Sequence, residues 1–511
     1  MINSISGRLS VFFAGLSIVL AIVVASNAAH AGGALYWFGN DARNAAMGAG
    51  GEAAGTGPGN LLKNPALMSF NPGGAWLEFS FAPNWLSIRP KNRPSGFDVP
   101  EAVYRTDEDV WWDRPIPTNL LTHSRDATKN LSPTYTLNIA AIGSFDIPGL
   151  RVGLGATFPL PTIIDFNVWY NDEREQHFSN RLHFERFGEF DNLFTFYPAA
   201  SYAPIDWLSL GLALKFDLAM ALGTGMYLPQ GDQWEYAYTA PSGEVTPSLR
   251  PIAALAFRTP IGLNFGVVYK HLSYMDVDLD VQIRLWNVEE GQNGPQNQFN
   301  QSYCFVVGYE PIEAALAASY EHDRFTIEVG AAWQHWSAYI DRHGNDWTHP
   351  TLGEEAPQDS FEDPSFNDVL TVHGGGEVWV AKFAALRAGI AYYPSPMPNQ
   401  TGRYNYVDND LLLYSLGAGF RFQILSRTMT VDVAAQLWHM RELIVNKSLP
   451  DKLQTGEGGL VDEVPDGMTD YETGEEIPGS SGLQTNNPGF PGYTLGGVLL
   501  NLALMVGMEF D

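Results

Sequence analysis

The chain has 511 residues, only 17% of them charged, and it carries 57 acidic residues against 29 basic ones. The net charge of −28 excludes a typical nucleic-acid-binding protein, which needs a basic surface. The single cysteine, Cys304, excludes an internal disulfide framework and a multi-cysteine metal site.

The first residues have the pattern of a secretory signal peptide. Arg8 precedes an apolar run at 11–25, and Ala29-His30-Ala31 matches a cleavage site. The apolar run is shorter than the roughly 20 residues that a membrane-spanning helix needs. We therefore predict that residues 1–31 are a cleaved signal peptide and that the mature chain is exported. An uncleaved membrane anchor is the alternative.

The next segment, residues 32–74, is rich in glycine and alanine. Its charged residues are Asp41, Arg43, Glu52 and Lys63. Small uncharged residues suit a backbone that packs inside another structure better than they suit a solvated linker. A disordered leader is the alternative.

From residue 75 onwards the hydrophobic pattern has a period of two, which is typical of β-strands. Within 207–222 the even positions from 208 are apolar and the odd positions from 209 are small or polar, and 275–285 and 498–510 repeat the alternation. We predict fourteen strands, at 75–88, 133–145, 151–163, 193–204, 207–222, 245–258, 262–285, 301–320, 324–340, 366–381, 384–393, 411–423, 428–445 and 493–510.

The connections between these strands alternate between long and short. A soluble β-sandwich also has alternating faces, but an even number of strands with long loops on one rim and tight turns on the other is typical of an outer-membrane barrel. The predicted fold is therefore all-β, a 14-stranded antiparallel transmembrane β-barrel over residues 75–511. The long acidic connection at 446–492 is predicted to face lipopolysaccharide.

A barrel of this size is too wide to be filled by its own side chains, since about eight strands is the size that packs itself. We therefore predict that residues 32–74 form a hatch, a plug inside the lumen.

Charged residues on the lumen-facing side of the strands form two groups. The group near the short turns is predicted to pair with itself and with the hatch backbone; its members are Arg258, Glu328, Glu377, Arg387, Arg421, Asp432 and Glu509. The group further up, Lys215, Arg250 and Arg284, contains candidates for binding an anionic headgroup. Pairing with Asp217 or with loop acids is the alternative for this second group.

The third predicted strand, at 151–163, contains two glycines and two prolines. Proline removes a donor from the hydrogen-bond ladder, and glycine often marks a bulge. Gly153, Gly155, Pro159 and Pro161 are therefore candidates for a kink. The alternative is a strand that ends at Phe158, with the prolines starting the loop.

Several motifs resemble those of one family. The segments at 40–43, 47–51 and 63–67 resemble the N-terminal hatch of the FadL family, and 333–337, 386–392, 395–398 and 415–419 resemble its later strands. These are outer-membrane channels for long-chain fatty acids and other hydrophobic compounds. The chain departs from the family in reading Val407-Asp408-Asn409-Asp410-Leu411 where a Pro-Asp…Arg element is common, and in ending at Phe510-Asp511.

The resemblance implies a transport mechanism. Extracellular loops capture the ligand, the lumen holds it, the hatch rearranges, and the ligand leaves laterally through a kinked third strand. Asn64, Pro65 and Ala66 would take part in gating against that strand. The expected partners are fatty acids, hydrocarbons or aromatics, together with outer-membrane lipid and lipopolysaccharide, and the expected state is a monomer.

We predict no catalytic residue, no cofactor and no metal site, and therefore not an enzyme. Histidines and serines are present, but none lies in a local nucleophile motif. The alternatives to uptake are a solute-selective porin, a barrel enzyme and a FadL-like barrel that acts as a scaffold for secretion.

Overall fold

A computed structural model describes residues 41–71, 73–91, 134–144, 146–160, 186, 194–227, 238–285, 297–339, 365–401, 405–424, 426–447 and 491–510. The predicted signal peptide, Pro161 and most of the acidic connection at 446–492 lie outside these residues. Among the described residues, no helix is long and apolar enough to cross a membrane.

The described chain is built mainly of antiparallel strands. Seventeen segments are present: β1 (Gly73–Ala82), β2 (Asn84–Pro90), β3 (Thr134–Ser144), β4 (Leu150–Leu160), β5 (Phe194–Ile205), β6 (Leu208–Tyr227), β7 (Tyr238–Arg258), β8 (Leu263–Lys270), β9 (Ser273–Leu285), β10 (Asn297–Glu310), β11 (Glu313–His322), β12 (Phe325–Gln334), β13 (Val369–Ala381), β14 (Ala384–Tyr393), β15 (Leu411–Ile424), β16 (Arg427–Asn446) and β17 (Gly492–Phe510). β1 pairs with β3 on one side and with β17 on the other, and this closes the sheet into a barrel.

Three pairs of consecutive segments each run as one interrupted strand. β1 and β2 are separated by Pro83 and both pair with β17. β8 and β9 are separated at 271–272, and β10 and β11 at 311–312. Joining these pairs leaves fourteen strands, which confirms the predicted fold class.

The two faces of the strands differ in the way that a membrane barrel requires. On β6, Ser209 and Gly211 are buried, whereas the side chain of Leu212 is 66% exposed. On β11, Ala315 is buried and Leu316 is 63% exposed. Because the apolar residues face outward, the lipid-facing band of a barrel explains the alternation and the core of a soluble sandwich does not.

The predicted strand at 324–340 is shorter than expected. β12 ends at Gln334, and a 3-10 helix follows at Trp336–Ala338. The reason is packing, since Trp336 turns inward to contact Phe366.

The glycines of the third strand do not mark a bulge. The ladder between β3 and β4 runs from Arg151 to Leu160 without a register shift, and Pro159 lies within it opposite Thr136. The strand therefore runs past the alternative end at Phe158, and the kink itself stays a prediction. The glycines instead leave room inside the barrel: a Cβ on Gly153 would lie 2.2 Å from Leu61, and one on Gly155 would lie 1.9 Å from the ring of Tyr197.

The described part of the hatch, residues 41–71, lies inside the barrel. Helix α1 (Ala42–Ala46) contacts β14 to β17, a 3-10 helix at Pro58–Asn60 contacts β1 and β3, and a second 3-10 helix at Pro65–Phe70 contacts β4 to β7. These strands surround the lumen, so the segment crosses it from wall to wall. The boundaries at 31 and 74 stay predictions.

Candidate functional site

A carboxylate of the barrel wall holds a turn of the hatch. The Glu328 carboxylate on β12 accepts hydrogen bonds from the backbone nitrogens of Gly51 at 2.6 Å, Ala53 at 3.2 Å and Ala54 at 2.5 Å. Gly51 adopts a φ of 122°, which glycine tolerates far better than other residues. The turn therefore directs three donors at a single carboxylate.

A chain of alternating charges extends this anchor around the wall. Arg43 of α1 donates to Glu377 at 3.1 and 3.2 Å and to the carbonyl oxygen of Ala54 at 2.8 Å. Glu377 also accepts from Arg387 at 2.7 Å, and Arg387 donates in turn to Asp432. The structure thus brings Glu328, Glu377, Arg387 and Asp432 together around the hatch.

The other three charged residues that were predicted near the short turns make different contacts from these four. Arg258 donates to the carbonyl oxygen of Phe70 at 3.2 Å and so contacts the end of the hatch. The side chains of Arg421 and Glu509 are 50% and 37% exposed and lie 3.9 Å apart. They pair with each other at the short-turn rim, as predicted, and Arg421 also stacks on the ring of Trp379.

The predicted gating residues make mostly neutral contacts. The side-chain oxygen of Asn64 accepts from the nitrogen of Ala66 at 3.0 Å, and its amide donates to the carbonyl oxygens of Glu52 at 2.6 Å and Leu255 at 3.3 Å. A Cβ on Gly211 would lie 2.2 Å from the Ala66 nitrogen. Asn64, Pro65 and Ala66 therefore meet β6 and β7.

The third barrel strand, β4, is reached by other hatch residues. A Cβ on Gly153 would meet the side chains of Leu61 and Met68. The role of Asn64, Pro65 and Ala66 in gating stays a prediction.

A mixed cluster at the junction of hatch and wall was not expected from the sequence. Lys63 pairs with Glu52 at 3.2 Å, and His373 lies 3.4 Å from Glu52 and 3.2 Å from Glu328. Burial opposes charge on both hatch residues, but Lys63 and His373 lower the pKa of Glu52, and Glu52 raises the pKa of Lys63. Both hatch side chains are therefore held in their ionised forms.

Further up the lumen, the predicted headgroup candidates are already paired. Lys215 lies 2.8 Å from Asp217 and 2.7 Å from Glu310, and Arg250 lies 2.7 Å from the second oxygen of Glu310. Arg250 also donates to the carbonyl oxygen of Pro311 at 2.6 Å. The alternative of pairing with Asp217 is therefore correct for Lys215, although the second acid belongs to a strand and not to a loop.

The alternation in the sequence did not predict that Glu310 faces the lumen. On an unbroken strand it would share a face with Leu316, which faces outward. The interruption at 311–312 shifts the alternation, so that Glu310 and Glu313 both turn inward. Arg284 lies on β9, and its side chain is outside the described part of the structure.

An aromatic cluster lies toward the long-loop rim. Its buried members are Trp336, Phe366 and Tyr406, and Tyr309, Tyr339 and Met397 pack against them. The rings of Tyr339 and Phe366 are 4.1 Å apart, and those of Phe366 and Tyr406 are 5.1 Å apart. The cluster places apolar side chains beside the paired charges, since Tyr309 directly precedes Glu310.

A buried ion pair joins two long loops beside this cluster. Arg186, between β4 and β5, donates to Asp408 at 2.8 Å. Asp408 belongs to the segment that departs from the family pattern, and burial raises its pKa in spite of the guanidinium. This loop contact was not predicted.

Comparison with known proteins adds to this geometry. The family model of the outer membrane protein transport proteins (OMPP1/FadL/TodX) matches residues 312–461. The alkane uptake protein A of Marinobacter nauticus is 24% identical over 160 residues, which cover 30% of this chain and 34% of that protein. Over these residues the chain is similar to the FadL/TodX family. The match nevertheless spans only about a third of the relative's length.

Solved structures share the barrel. A FadL homologue of Pseudomonas aeruginosa superimposes with a TM-score of 0.52 at 15% identity, covering 89% of this chain and 94% of the homologue. The toluene transporter TodX of P. putida gives a TM-score of 0.48 at 12% identity, covering 92% and 98%. The first of these shows a common fold. The family match and the barrel fold indicate the outer membrane, and the match confirms the resemblance seen in the motifs.

Proposed function

We propose that this protein is an uptake channel for hydrophobic compounds and that its ligands are uncharged hydrocarbons rather than fatty acids. The aromatic cluster collects the ligand near the long-loop rim, and the hatch gates its passage to the periplasm. The family match over residues 312–461 and the relative described as an alkane uptake protein support the general role. Cleavage of residues 1–31, the monomeric state and contact with lipopolysaccharide stay predictions.

We infer an uncharged ligand from the way in which the cations of the lumen are paired with acids. Lys215 and Arg250 are matched by Asp217 and Glu310, and Lys270 is matched by Glu313 at 2.8 Å. Each group has a net charge of zero when all its members are ionised. No cation in these two groups is left over for a carboxylate headgroup.

A carboxylate ligand at this level would add an uncompensated negative charge to a buried site. Taking an ion out of water costs several kcal/mol unless a partner compensates it. Binding of an alkane or an aromatic ring has no such desolvation cost. It is favoured by about 25 cal/mol of free energy for each Å² of apolar surface that is buried. The lumen should therefore select against the charged headgroup.

The hatch contacts weigh against the solute-selective porin. The hatch meets strands around the whole lumen, and glycines on the wall bring it into close contact: a Cβ on Gly375 would lie 2.2 Å from the carbonyl oxygen of Met47. A large, steady conductance of the purified protein in a planar bilayer would contradict a closed hatch.

Two ligands of equal chain length test the preference. Native mass spectrometry of the purified barrel should show binding of dodecane, and dodecanoate should bind at least about tenfold more weakly. The variant Glu310→Gln removes one negative charge beside Lys215 and Arg250. It should improve dodecanoate binding about tenfold and leave dodecane binding unchanged.

Glu509→Gln is the matched control, because Glu509 is an exposed acid at the rim beside Arg421. It should change neither affinity. Tight dodecanoate binding by the unaltered protein would contradict the uncharged ligand, whereas binding of neither compound would contradict hydrophobic uptake itself.

A further inference from the structure

Three side chains with metal-binding atoms meet where the hatch joins the wall. Glu52 comes from the hatch, Glu328 from β12 and His373 from β13, and one ligand atom of each lies within 4.8 Å of the other two. Glu52 and Glu328 are only 4% and 1% exposed. The site is thus buried and shared between two parts of the chain.

Hydrogen bonding leaves one of these three atoms, Glu52 Oε2, without a partner. His373 Nε2 lies 3.2 Å from Glu328 Oε1 and 3.4 Å from Glu52 Oε2. A single N–H points at one oxygen only, and Glu52 Oε2 has no hydrogen-bond partner although it is buried. A buried carboxylate oxygen without a partner costs free energy. A cation bound to Glu52 Oε2 would remove that cost.

The spacing fits a tetrahedral metal ion. Zinc lies about 2.0–2.2 Å from imidazole nitrogen and carboxylate oxygen, so two of its ligands are about 3.3–3.5 Å apart. The two separations at His373 are close to that value. One imidazole and two carboxylates also suit zinc better than calcium or magnesium, which take oxygen ligands.

The remaining carboxylate oxygens have donors of the kind that orient metal ligands. Lys63 donates to Glu52 Oε1 at 3.2 Å, and the nitrogens of Ala53 and Ala54 donate to Glu328 Oε2. Such outer contacts fix the orientation of a ligating carboxylate. Glu52 Oε2 and Glu328 Oε1 both face His373, and Glu328 Oε1, which also accepts from the nitrogen of Gly51 at 2.6 Å, keeps a second lone pair for a metal ion.

We propose that Glu52, Glu328 and His373 bind a divalent transition-metal ion of the zinc class, with the fourth position taken by a water molecule. The ion links the hatch to β12 and β13. It binds at the turn whose backbone nitrogens, those of Gly51, Ala53 and Ala54, donate to Glu328. The alternative is a site without metal, in which a protonated His373 pairs with Glu52 and Glu328.

Elemental analysis of the purified full-length barrel tests the proposal. The protein is stripped with a chelator, equilibrated with zinc chloride and desalted. The unaltered protein should retain about one zinc ion per chain and His373→Gln should retain none. With cobalt instead of zinc, the unaltered protein should show the visible absorption of a tetrahedral site and His373→Gln should not.

His335→Gln is the control, because His335 also lies beside an acid, 3.1 Å from Asp368, but at an exposed position. It should retain the metal. Glu52→Gln gives a second test that leaves the barrel wall unaltered, and heat-modifiable mobility in gels verifies folding of each variant.

A second measurement reports on the tie itself. Chelation should speed hydrogen exchange at Gly51, Ala53 and Ala54 in the unaltered protein, but not in His373→Gln. A folded unaltered barrel that retains no zinc, or a His373→Gln variant that retains as much as the unaltered protein, would overturn the proposal.

Discussion

The two halves of the hatch are held in the barrel by different kinds of contact. Residues 41–57, the first half, are bound by charged groups, with Arg43 on Glu377 and three backbone nitrogens on Glu328. Residues 58–71, the second half, are bound mostly by neutral groups: Ser209 donates to the carbonyl oxygen of Ala66 at 2.7 Å, and the hydroxyls of Ser69 and Ser201 are 2.6 Å apart.

This difference indicates which half moves. Breaking a buried ion pair costs about 3–5 kcal/mol, whereas a neutral hydrogen bond contributes about 1 kcal/mol. The first half should therefore remain docked while the second half leaves β4 to β7. Opening on that side would leave the contacts with β12 and β13 intact.

Removing the anchor of the first half should have the largest effect. Glu328→Ala leaves three buried N–H groups without their acceptor, at about 1–3 kcal/mol each. Even the lowest sum changes an equilibrium about a hundredfold. We expect frequent large openings in single-channel recordings from planar bilayers.

Glu313→Ala is the matched control. Glu313 is also a buried acid of the lumen, but its partners Lys270 and Gln334 both belong to the barrel. It should leave the channel closed. If Glu313→Ala opened the channel and Glu328→Ala did not, the first half would not be the anchor.

The strands and the anchor were not equally accessible from the sequence. Alternation along a strand and the lengths of turns are local features, so fourteen strands and the inward direction of Glu328, Glu377 and Arg387 could be predicted. Glu310 was missed because the interruption before β11 reverses the alternation. His373 and Glu52 are far apart in the chain, and no local motif joins them.

One overlooked pattern would have located the hatch contacts. Lumen-facing glycines occur where the wall touches hatch backbone: a Cβ on Gly389 would lie 2.0 Å from the nitrogen of Gly48, and one on Gly266 would lie 1.9 Å from the carbonyl oxygen of Glu52. Glycine on the inward face of a strand indicates a close approach of another backbone. The glycines of β4 were instead interpreted as a kink.

Acidification should strengthen the docking of the first half. Asp41 caps α1 by accepting from the Asn44 nitrogen at 2.9 Å, and burial raises the pKa of Asp41 from 3.8 to about 6. The docked hatch thus binds more protons than an undocked one. Docking weakens as the pH rises from about 4 to about 6, and the loss is nearly complete above that range.

The variant Asp41→Asn keeps the cap, since Asn and Asp are comparable at this position. It removes a penalty of up to about 3 kcal/mol at pH 7. Large openings, which require the first half to leave the wall, should be about tenfold more frequent at pH 7.5 than at pH 5 in the unaltered channel, and those of Asp41→Asn should be rarer and less dependent on pH. Equal pH dependence in both proteins would show that another group is responsible.

The smallest expected effect tests the mobile half directly. Ser209→Ala removes one neutral hydrogen bond to Ala66, worth about 1 kcal/mol, and should raise the frequency of opening about fivefold. Ser415→Ala removes two bonds in the first half, because Ser415 accepts from the nitrogen of Gly48 at 2.9 Å and donates to the carbonyl oxygen of Ala46 at 3.0 Å. Counting bonds alone would give Ser415→Ala the larger effect. If the two halves differ as their contacts indicate, Ser415→Ala should raise the frequency of opening less than Ser209→Ala does, because Glu328 and Arg43 still hold the segment that Ser415 contacts. A larger effect of Ser415→Ala would mean that the hatch moves as a single body.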